Sequence, residues 1–251
     1  MADRRRGIYL LPNLFTTSGL FAGFYAIIAA INGHYEAAAI AIFVAMIMDG
    51  VDGRIARMTN TQSDFGMQYD SLSDMISFGL APALLIHQWS LFNLGKFGWS
   101  AAFIYTAAAA LRLARFNTQV GTEDKRYFQG LASPAAAALI AGMVWLGDSY
   151  GLSDNKLAVI FTLPVTVLAG VLMVSNIRYH SFKQIDLKGR VPFVAILVVV
   201  LVFFLFSSNP PLVISSVALV YASSGPVITL ITLRKHRASR KPAEEVVTPP
   251  K

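Results

Sequence analysis

The chain has 251 residues, of which 55% are hydrophobic and 14% charged, and its mean hydropathy is +0.55. This composition is too apolar for a soluble enzyme of this size and indicates one polytopic membrane domain. The absence of cysteine excludes a disulfide framework, iron–sulfur ligation and thiol catalysis. The net charge of +7 would fit either nucleic acid or an acidic membrane face as partner, and the positions of the basic residues decide between them.

Apolar segments of membrane length predict roughly eight transmembrane helices, of which the fifth and seventh are short. The first segment is too long for the hydrophobic region of a signal peptide, so we predict a retained helix. The expected fold is an all-α polytopic membrane helix bundle over residues 1–233. The predicted spans are Ile8–Asn32, Tyr35–Met58, Met67–Trp89, Trp99–Thr118, Pro134–Gly147, Lys156–Val174, Val191–Phe206 and Leu212–Leu233.

The basic residues predict the orientation of this bundle. With the N-terminus in the cytoplasm, all of the 21 lysines and arginines except Lys96 and Lys156 fall in cytoplasmic segments or at cytoplasmic helix ends. This distribution predicts a multi-pass protein of the cytoplasmic membrane with both termini inside. The positive charge is therefore explained by membrane orientation and by attraction to anionic lipid headgroups, and not by nucleic-acid binding. Residues 234–251 are charged and rich in proline, which predicts a disordered basic cytoplasmic tail.

Four aspartates interrupt the second and third apolar segments. Asp49 and Asp52 lie near the end of the second predicted helix, and Asp70 and Asp74 lie near the start of the third. Each pair shares one helix face, so two antiparallel helices would bring four carboxylates together on the cytoplasmic side. Each acid costs about 2.5 to 3.5 kcal/mol near mid-membrane, and a bound divalent cation would offset that cost. Carboxylate ligands without cysteine or histidine favour Mg²⁺ or Mn²⁺.

The residues between the acids are small or basic. Gly53 and Ala56 leave room for a ligand to approach the helix backbone, and Arg57 presents a guanidinium suited to phosphate. Two other interpretations stay open. The acids could be structural, balanced by Arg54 and Arg57 in buried ion pairs, or they could form the pathway of a cation or proton transporter. The position of all four acids at one membrane face speaks against a transporter.

The spacing D-x2-D-G-x2-A-R-x8-G-x3-D-x3-D is met at every fixed position from Asp49 to Asp74. In this motif the sequence resembles the CDP-alcohol phosphatidyltransferase family, which moves a phosphatidyl group from CDP-diacylglycerol to an alcohol and releases CMP. The resemblance implies a homodimer and a divalent metal held by Asp49, Asp52, Asp70 and Asp74, with Asp74 also the general base. It implies a CDP-diacylglycerol site at Pro12, Asn13, Gly53, Ala56, Arg57 and Ser63. A helix cap is the other interpretation of Asn13.

Four further stretches resemble the phosphatidylserine synthase branch: LPNLFTTSGLFAGFYAI, ALRLARFN, FQGLASPAAAA and VSNIRYHSFK. This resemblance implies serine as acceptor, with glycerol 3-phosphate, inositol phosphate or choline as alternatives. Because serine carries a carboxylate, its pocket needs a cation. The candidates for this serine or phosphate pocket are Arg112, Arg115, Asn117 and Ser133, although both arginines also fit positive-inside anchoring. One departure from the branch is Ala132, where proline is more usual.

Overall fold

The computed structural model describes residues 3–59, 61–119, 127–153, 156–180 and 204–239. Within these ranges the chain forms seven long helices and one pair of short strands. Residues 204–208 form a further helical turn just before the last helix. In chain order the elements are α1 (Asp3–Ile31), α2 (Tyr35–Met58), α3 (Asp64–Leu94), α4 (Lys96–Gln119), β1 (Tyr127–Gln129), α5 (Ser133–Ser149), α6 (Lys156–Val174), β2 (Arg178–His180) and α7 (Pro210–Ser239).

The predicted helical membrane bundle is confirmed. Seven of the eight predicted spans correspond to α1 to α7, and most of the remaining span, Val191–Phe206, lies outside the described residues. Four of the described helices are long and apolar enough to cross a membrane, by length and composition. They contain the spans Pro12–Ile31, Asp64–Leu94, Lys96–Thr118 and Pro210–Thr232, and α6 is a shorter apolar helix.

Two details of the fold differ from the sequence-based expectation. No strand was predicted, yet β1 and β2 pair in antiparallel register, with Phe128 opposite Tyr179. The helix α7 continues to Ser239, so residues 234–239 are helical and the tail does not begin at residue 234. Residues 240–251 of the predicted tail lie outside the described part of the chain.

The helices α1, α2 and α3 pack closely through small residues. Ala26, Ala30, Ala38 and Ala45 are all buried, and α1 and α2 contact one another along their length. A Cβ placed on Gly23 of α1 would lie 2.8 Å from the Cα of Ser77 on α3. Small side chains therefore allow the backbones of these helices to approach one another, as they do in membrane proteins generally.

The helix α3 is not α-helical throughout. It is α-helical over Asp64–Asp74, π-helical over Met75–Leu80 and α-helical again over Ala81–Ile86. Pro82 has no N–H to donate to the carbonyl of Phe78, four residues before it. That carbonyl instead accepts a hydrogen bond of 3.1 Å from the hydroxyl of Tyr105 on α4. The irregular turn directly after Asp74 is thus held in place by a neighbouring helix.

The strand pair, which we call the ribbon, fixes the start of α5. Gly130 follows β1 with φ +76, a left-handed conformation that favours glycine. Its N–H donates to the carbonyl of Ile177 at 2.9 Å, and the N–H of Leu131 donates to the carbonyl of Leu172 at 2.9 Å. The buried hydroxyl of Tyr179 donates to the carbonyl of Ala222 on α7 at 3.0 Å. The ribbon therefore anchors the first turn of α5 to the end of α6 and to α7.

Candidate active site

The four aspartates predicted from the motif line one cleft between α1, α2 and α3, which we call the aspartate cleft. Carboxylate oxygens of Asp49, Asp70 and Asp74 lie within 4.8 Å of one another. Asp52 is buried, and its Oδ2 accepts a hydrogen bond of 2.7 Å from Oγ1 of Thr16 on α1. About 170 Å³ of space in and in front of the cleft is not filled by protein atoms, open solvent included. The rest of the lining is provided by Thr16, Gly19, Ala45, Ser73, Ser77 and Phe78.

The convergence of these acids follows from the short connection between α2 and α3. The helix α2 ends at Met58 and α3 begins at Asp64, so the acids before and after this turn lie at similar distances from it. Their spacings of three and four residues put each pair on one helix face. Packing of α1 against both helices closes the cleft on its third side.

The donor set of the aspartate cleft fits a hard divalent cation. Mg²⁺ takes oxygen ligands at about 2.1 Å, so that opposite ligands in an octahedron lie about 4.2 Å apart. The separations among Asp49, Asp70 and Asp74, all within 4.8 Å, are close to that geometry. Carboxylate oxygens suit Mg²⁺ and Mn²⁺ equally, so the residues fit either ion.

The interpretation of the acids as partners in buried ion pairs is wrong. Arg54 and Arg57 are both exposed, and neither forms an ion pair within the part of the chain that the structure describes. Among the described basic residues, Arg112 of α4 lies near enough to Asp74 for its charge to act there. The negative charge of the cleft therefore remains available to a cation.

Gly53 and Arg57 are neighbours on α2, at the end of the helix that carries Asp49 and Asp52. Among the described residues, a Cβ placed on Gly53 would have one side-chain neighbour within 4 Å, the Nη2 of Arg57 at 4.0 Å. Helix packing therefore does not require glycine here, and the space over residue 53 is open beside a guanidinium. Ala56, on the same helix, is half-buried.

Three further residues of the predicted nucleotide site lie in α1 and at the start of α3, two of the helices that line the cleft. Asn13 is inside α1 and caps no helix, so the capping interpretation is wrong. A Cβ on Gly66 would lie 3.7 Å from Oδ1 of Asn13 and 3.2 Å from Oγ of Ser63. Ser63 itself is the N-cap of α3, because its Oγ accepts from the N–H of Gly66 at 3.0 Å. Pro12 is buried within α1, directly before Asn13.

The residues predicted for the serine or phosphate pocket do not all contact one another in the structure. Nη1 of Arg112 donates to Oγ of Ser133 at 2.8 Å, and Nη1 of Arg115 donates to Oδ1 of Asn176 at 3.3 Å. We call these two contacts the arginine pairs. Asn117 instead bonds Ser71 on α3, with Nδ2 3.0 Å from its Oγ. Asn117 therefore connects α4 to the acidic helix, beside Asp70, and does not join Arg112 and Ser133.

The structure adds site residues that the motif did not contain. Thr16 lines the aspartate cleft and bonds Asp52, and the Oγ of Ser73 donates to the carbonyl of Thr16 at 3.2 Å. The signal for Thr16 was its polar character within the first apolar segment. Ser73 lies between Asp70 and Asp74 in sequence, and only the helix packing shows which way it points.

Comparison with known proteins places the chain in a family. The sequence model of the CDP-alcohol phosphatidyltransferase family matches residues 9–173. A CDP-diacylglycerol–serine O-phosphatidyltransferase of Helicobacter pylori is 40% identical over 196 residues, covering 78% of this chain and 82% of the relative. One of the same name from Methanocaldococcus jannaschii is 40% identical over 143 residues, covering 57% and 63%. An archaetidylserine synthase of Methanothermobacter thermautotrophicus is 33% identical over 171 residues, covering 67% and 69%. The chain described here therefore belongs to the CDP-alcohol phosphatidyltransferase family.

Proposed function

We propose that this protein transfers the phosphatidyl group of CDP-diacylglycerol to the hydroxyl of L-serine, giving phosphatidylserine and CMP. The observation that carries the proposal is the meeting of Asp49, Asp70 and Asp74 in one cleft of a helical membrane bundle. The names of the relatives favour serine as the acceptor over glycerol 3-phosphate, inositol phosphate and choline.

The reaction makes and breaks one bond at the phosphatidyl phosphorus. The serine hydroxyl oxygen bonds to this phosphorus, the bond to the CMP phosphate oxygen breaks, and CMP departs with that electron pair. The hydroxyl proton passes to the carboxylate of Asp74, which acts as general base. When bound to the four aspartates, Mg²⁺ or Mn²⁺ neutralises charge on the diphosphate.

The nucleotide and diphosphate are proposed to lie at the open end of the aspartate cleft. Arg57 is exposed there beside Gly53, so its guanidinium can meet a phosphate without first breaking an ion pair among the described residues. On α1, the side chain of Asn13 lies next to Ser63 and Gly66. Asn13 offers both a donor and an acceptor, which suits the edge of a cytosine ring.

The serine carboxylate is proposed to bind Arg112. Its guanidinium is oriented by the hydrogen bond to Ser133 and interacts electrostatically with Asp74. In this arrangement the serine hydroxyl would point toward Asp74, on which the charge of Arg112 acts. Arg115, held by Asn176, supplies a second positive charge for the serine carboxylate or the lipid phosphate.

We propose that the protein lies in the cytoplasmic membrane with both termini and the aspartate cleft on the cytoplasmic side. Because the chain has no cysteine, single cysteines can report sidedness. In intact cells a membrane-impermeant maleimide should label Asn93→Cys, in the exposed last turn of α3, and spare Gln62→Cys, between α2 and α3. The opposite labelling pattern would reverse the topology.

The family resemblance also supports a homodimer as the working form. Many apolar side chains on α7 are exposed, including Val217, Val220 and Leu230, and these can face either lipid or a second copy. Native mass spectrometry of protein released from nanodiscs should give twice the mass of one chain. A single-chain mass at all lipid-to-protein ratios would contradict the dimer.

An acceptor panel tests the proposed reaction most directly. Purified full-length protein in detergent is given CDP-diacylglycerol, Mn²⁺ or Mg²⁺ and one alcohol at a time, while CMP release is measured. Release should depend on serine and on the metal. Release driven by glycerol 3-phosphate and not by serine would assign the protein to a sister reaction of the family.

A further inference from the structure

Thr16 of α1 touches both helices that carry the aspartates. Its Oγ1 donates to Oδ2 of Asp52 on α2 at 2.7 Å, and its carbonyl accepts from Oγ of Ser73 on α3 at 3.2 Å. Thr16 is buried, with 5% of its surface exposed, as are Asp52 and Ser73. One residue of α1 therefore contacts α2 and α3 at the level of their acidic residues.

The hydroxyl of Thr16 has one proton to donate and two acceptors within hydrogen-bond distance. Its Oγ1 lies 3.1 Å from the carbonyl of Pro12 and 2.7 Å from Oδ2 of Asp52. The carbonyl four residues earlier, here that of Pro12, is the usual acceptor for a threonine inside a helix. A hydrogen bond from a hydroxyl to a carboxylate is shorter and stronger than one to a neutral carbonyl. The shorter distance and the charge of the acceptor both place the proton between Thr16 and Asp52.

This contact distinguishes Asp52 from the other three acids. Asp49, Asp70 and Asp74 have carboxylate oxygens within 4.8 Å of one another, whereas Oδ2 of Asp52 is engaged by Thr16. A carboxylate fixed through one oxygen directs its other oxygen, and neighbours that fix a ligand in this way govern metal affinity. Thr16 also lines the aspartate cleft itself.

We infer that Thr16 is a positioning residue for the divalent cation, which orients Asp52 as a ligand through its hydroxyl and holds α1 against the two acidic helices. This inference rests on the metal role of Asp52 in the proposed function. Thr16 does not contact the reacting atoms in this scheme, because it acts through Asp52.

Direct binding of Mn²⁺ to the purified full-length protein, followed by electron paramagnetic resonance without lipid substrate or serine, tests the inference. Thr16→Val keeps the shape of the side chain and removes the hydroxyl, so Mn²⁺ binding should weaken by about tenfold or more. Thr16→Ser keeps the hydroxyl and should bind Mn²⁺ within about threefold of wild type. If Thr16→Val does not fold, Thr16→Ala also removes the hydroxyl and should weaken Mn²⁺ binding in the same way.

Thr166→Val on α6 is the matched control. Thr166 is also a buried threonine, and its hydroxyl bonds only the carbonyl of Thr162 on its own helix, at 2.7 Å. This variant should bind Mn²⁺ like wild type. Equal binding by wild type and Thr16→Val would overturn the inference, and so would a Thr16→Ser variant as weak as Thr16→Val.

The Asp52→Asn background separates this inference from the proposed function. If Thr16 acts through Asp52, then Thr16→Val should add little to the loss already caused by Asp52→Asn. Failure of wild type to bind Mn²⁺, or normal binding by Asp52→Asn, would overturn the metal role of Asp52 and the inference with it. Weak binding by Asp52→Asn together with normal binding by Thr16→Val would overturn the inference alone.

Discussion

The aspartate cleft and the arginine pairs are assembled differently. The acids come from two helices joined by a short turn, at spacings of three and four residues that put each pair on one face. The arginine pairs instead join α4 to the start of α5 and to the segment before β2. Local spacing thus builds the negatively charged half of the site, and contacts distant in sequence build the positively charged half.

The largest effect is expected in the aspartate cleft. Asp49→Asn, Asp52→Asn and Asp70→Asn should each abolish turnover, because an amide keeps the shape of the side chain and loses the charge that holds a cation. CMP release across a metal titration is the measurement, with membrane insertion checked separately. Asp64→Asn, an exposed acid at the start of α3, is the control and should stay active. Near wild-type activity in any of the three variants would contradict a shared metal site.

Asp74→Asn should affect the reaction differently from the other acids. It should keep most CDP-diacylglycerol binding and lose about a hundred- to ten-thousandfold in turnover, because an amide cannot accept the serine proton. Binding and turnover are measured on the same preparation. A larger defect would show that the metal role of Asp74 outweighs its role as general base, and normal turnover would remove it from the chemistry.

Arg57→Ala tests the open end of the cleft. Loss of a charged contact to the diphosphate should reduce CDP-diacylglycerol use by about ten- to a hundredfold and leave serine affinity nearly unchanged. Arg54→Ala removes an equally exposed arginine that is outside the motif, so its activity should remain close to wild type. An effect of Arg57→Ala on serine affinity alone would move this residue to the acceptor site.

Ser133→Ala tests the arginine pairs. Without its hydrogen bond, the guanidinium of Arg112 is less well oriented, so the KM for serine should rise by about three- to tenfold. The KM for CDP-diacylglycerol should change little. Ser149→Ala, at the other end of α5, removes a hydroxyl that bonds only its own helix and serves as control. A rise in the KM for CDP-diacylglycerol alone would indicate that Arg112 binds the lipid phosphate and not serine.

The smallest effect is expected at Ala132, where the branch more often has proline. Its backbone angles, φ −61 and ψ 137, are those that proline adopts, so the loop keeps its shape without proline. Ala132→Pro should therefore preserve activity and stabilise the fold by about 0.4 to 1 kcal/mol. Thermal unfolding measures this, with Ala137→Pro inside α5 as a destabilising control. A loss of stability in Ala132→Pro would show that the loop needs the N–H of residue 132.

The sequence was sufficient for the helices and for the aspartates, because apolar length and the spacing of charges are local properties. The partners of Arg112, Arg115 and Asn117 depend on how neighbouring helices are rotated, which spacing within one helix does not specify. The ribbon was missed because three-residue strands are too short to show alternation, and the glycine at position 130 was the available clue in the sequence. Thr16 was visible as a polar residue, but its bond to Asp52 required the packing of α1.

The π-helical turn after Asp74 sets the phase of α3. A π turn accommodates one residue more than an α turn, and one residue corresponds to about 100° of rotation around a helix. The acidic face formed by Asp70 and Asp74 and the buried residues of Ala81–Ile86 are therefore offset from the line that a regular helix would follow. If the same residues formed a regular α-helix without the π turn, the carboxylates would turn away from α2 while the apolar half stayed packed. The orientation of the acidic face therefore depends on the type of helix formed by Met75–Leu80 as well as on the residues that carry the carboxylates.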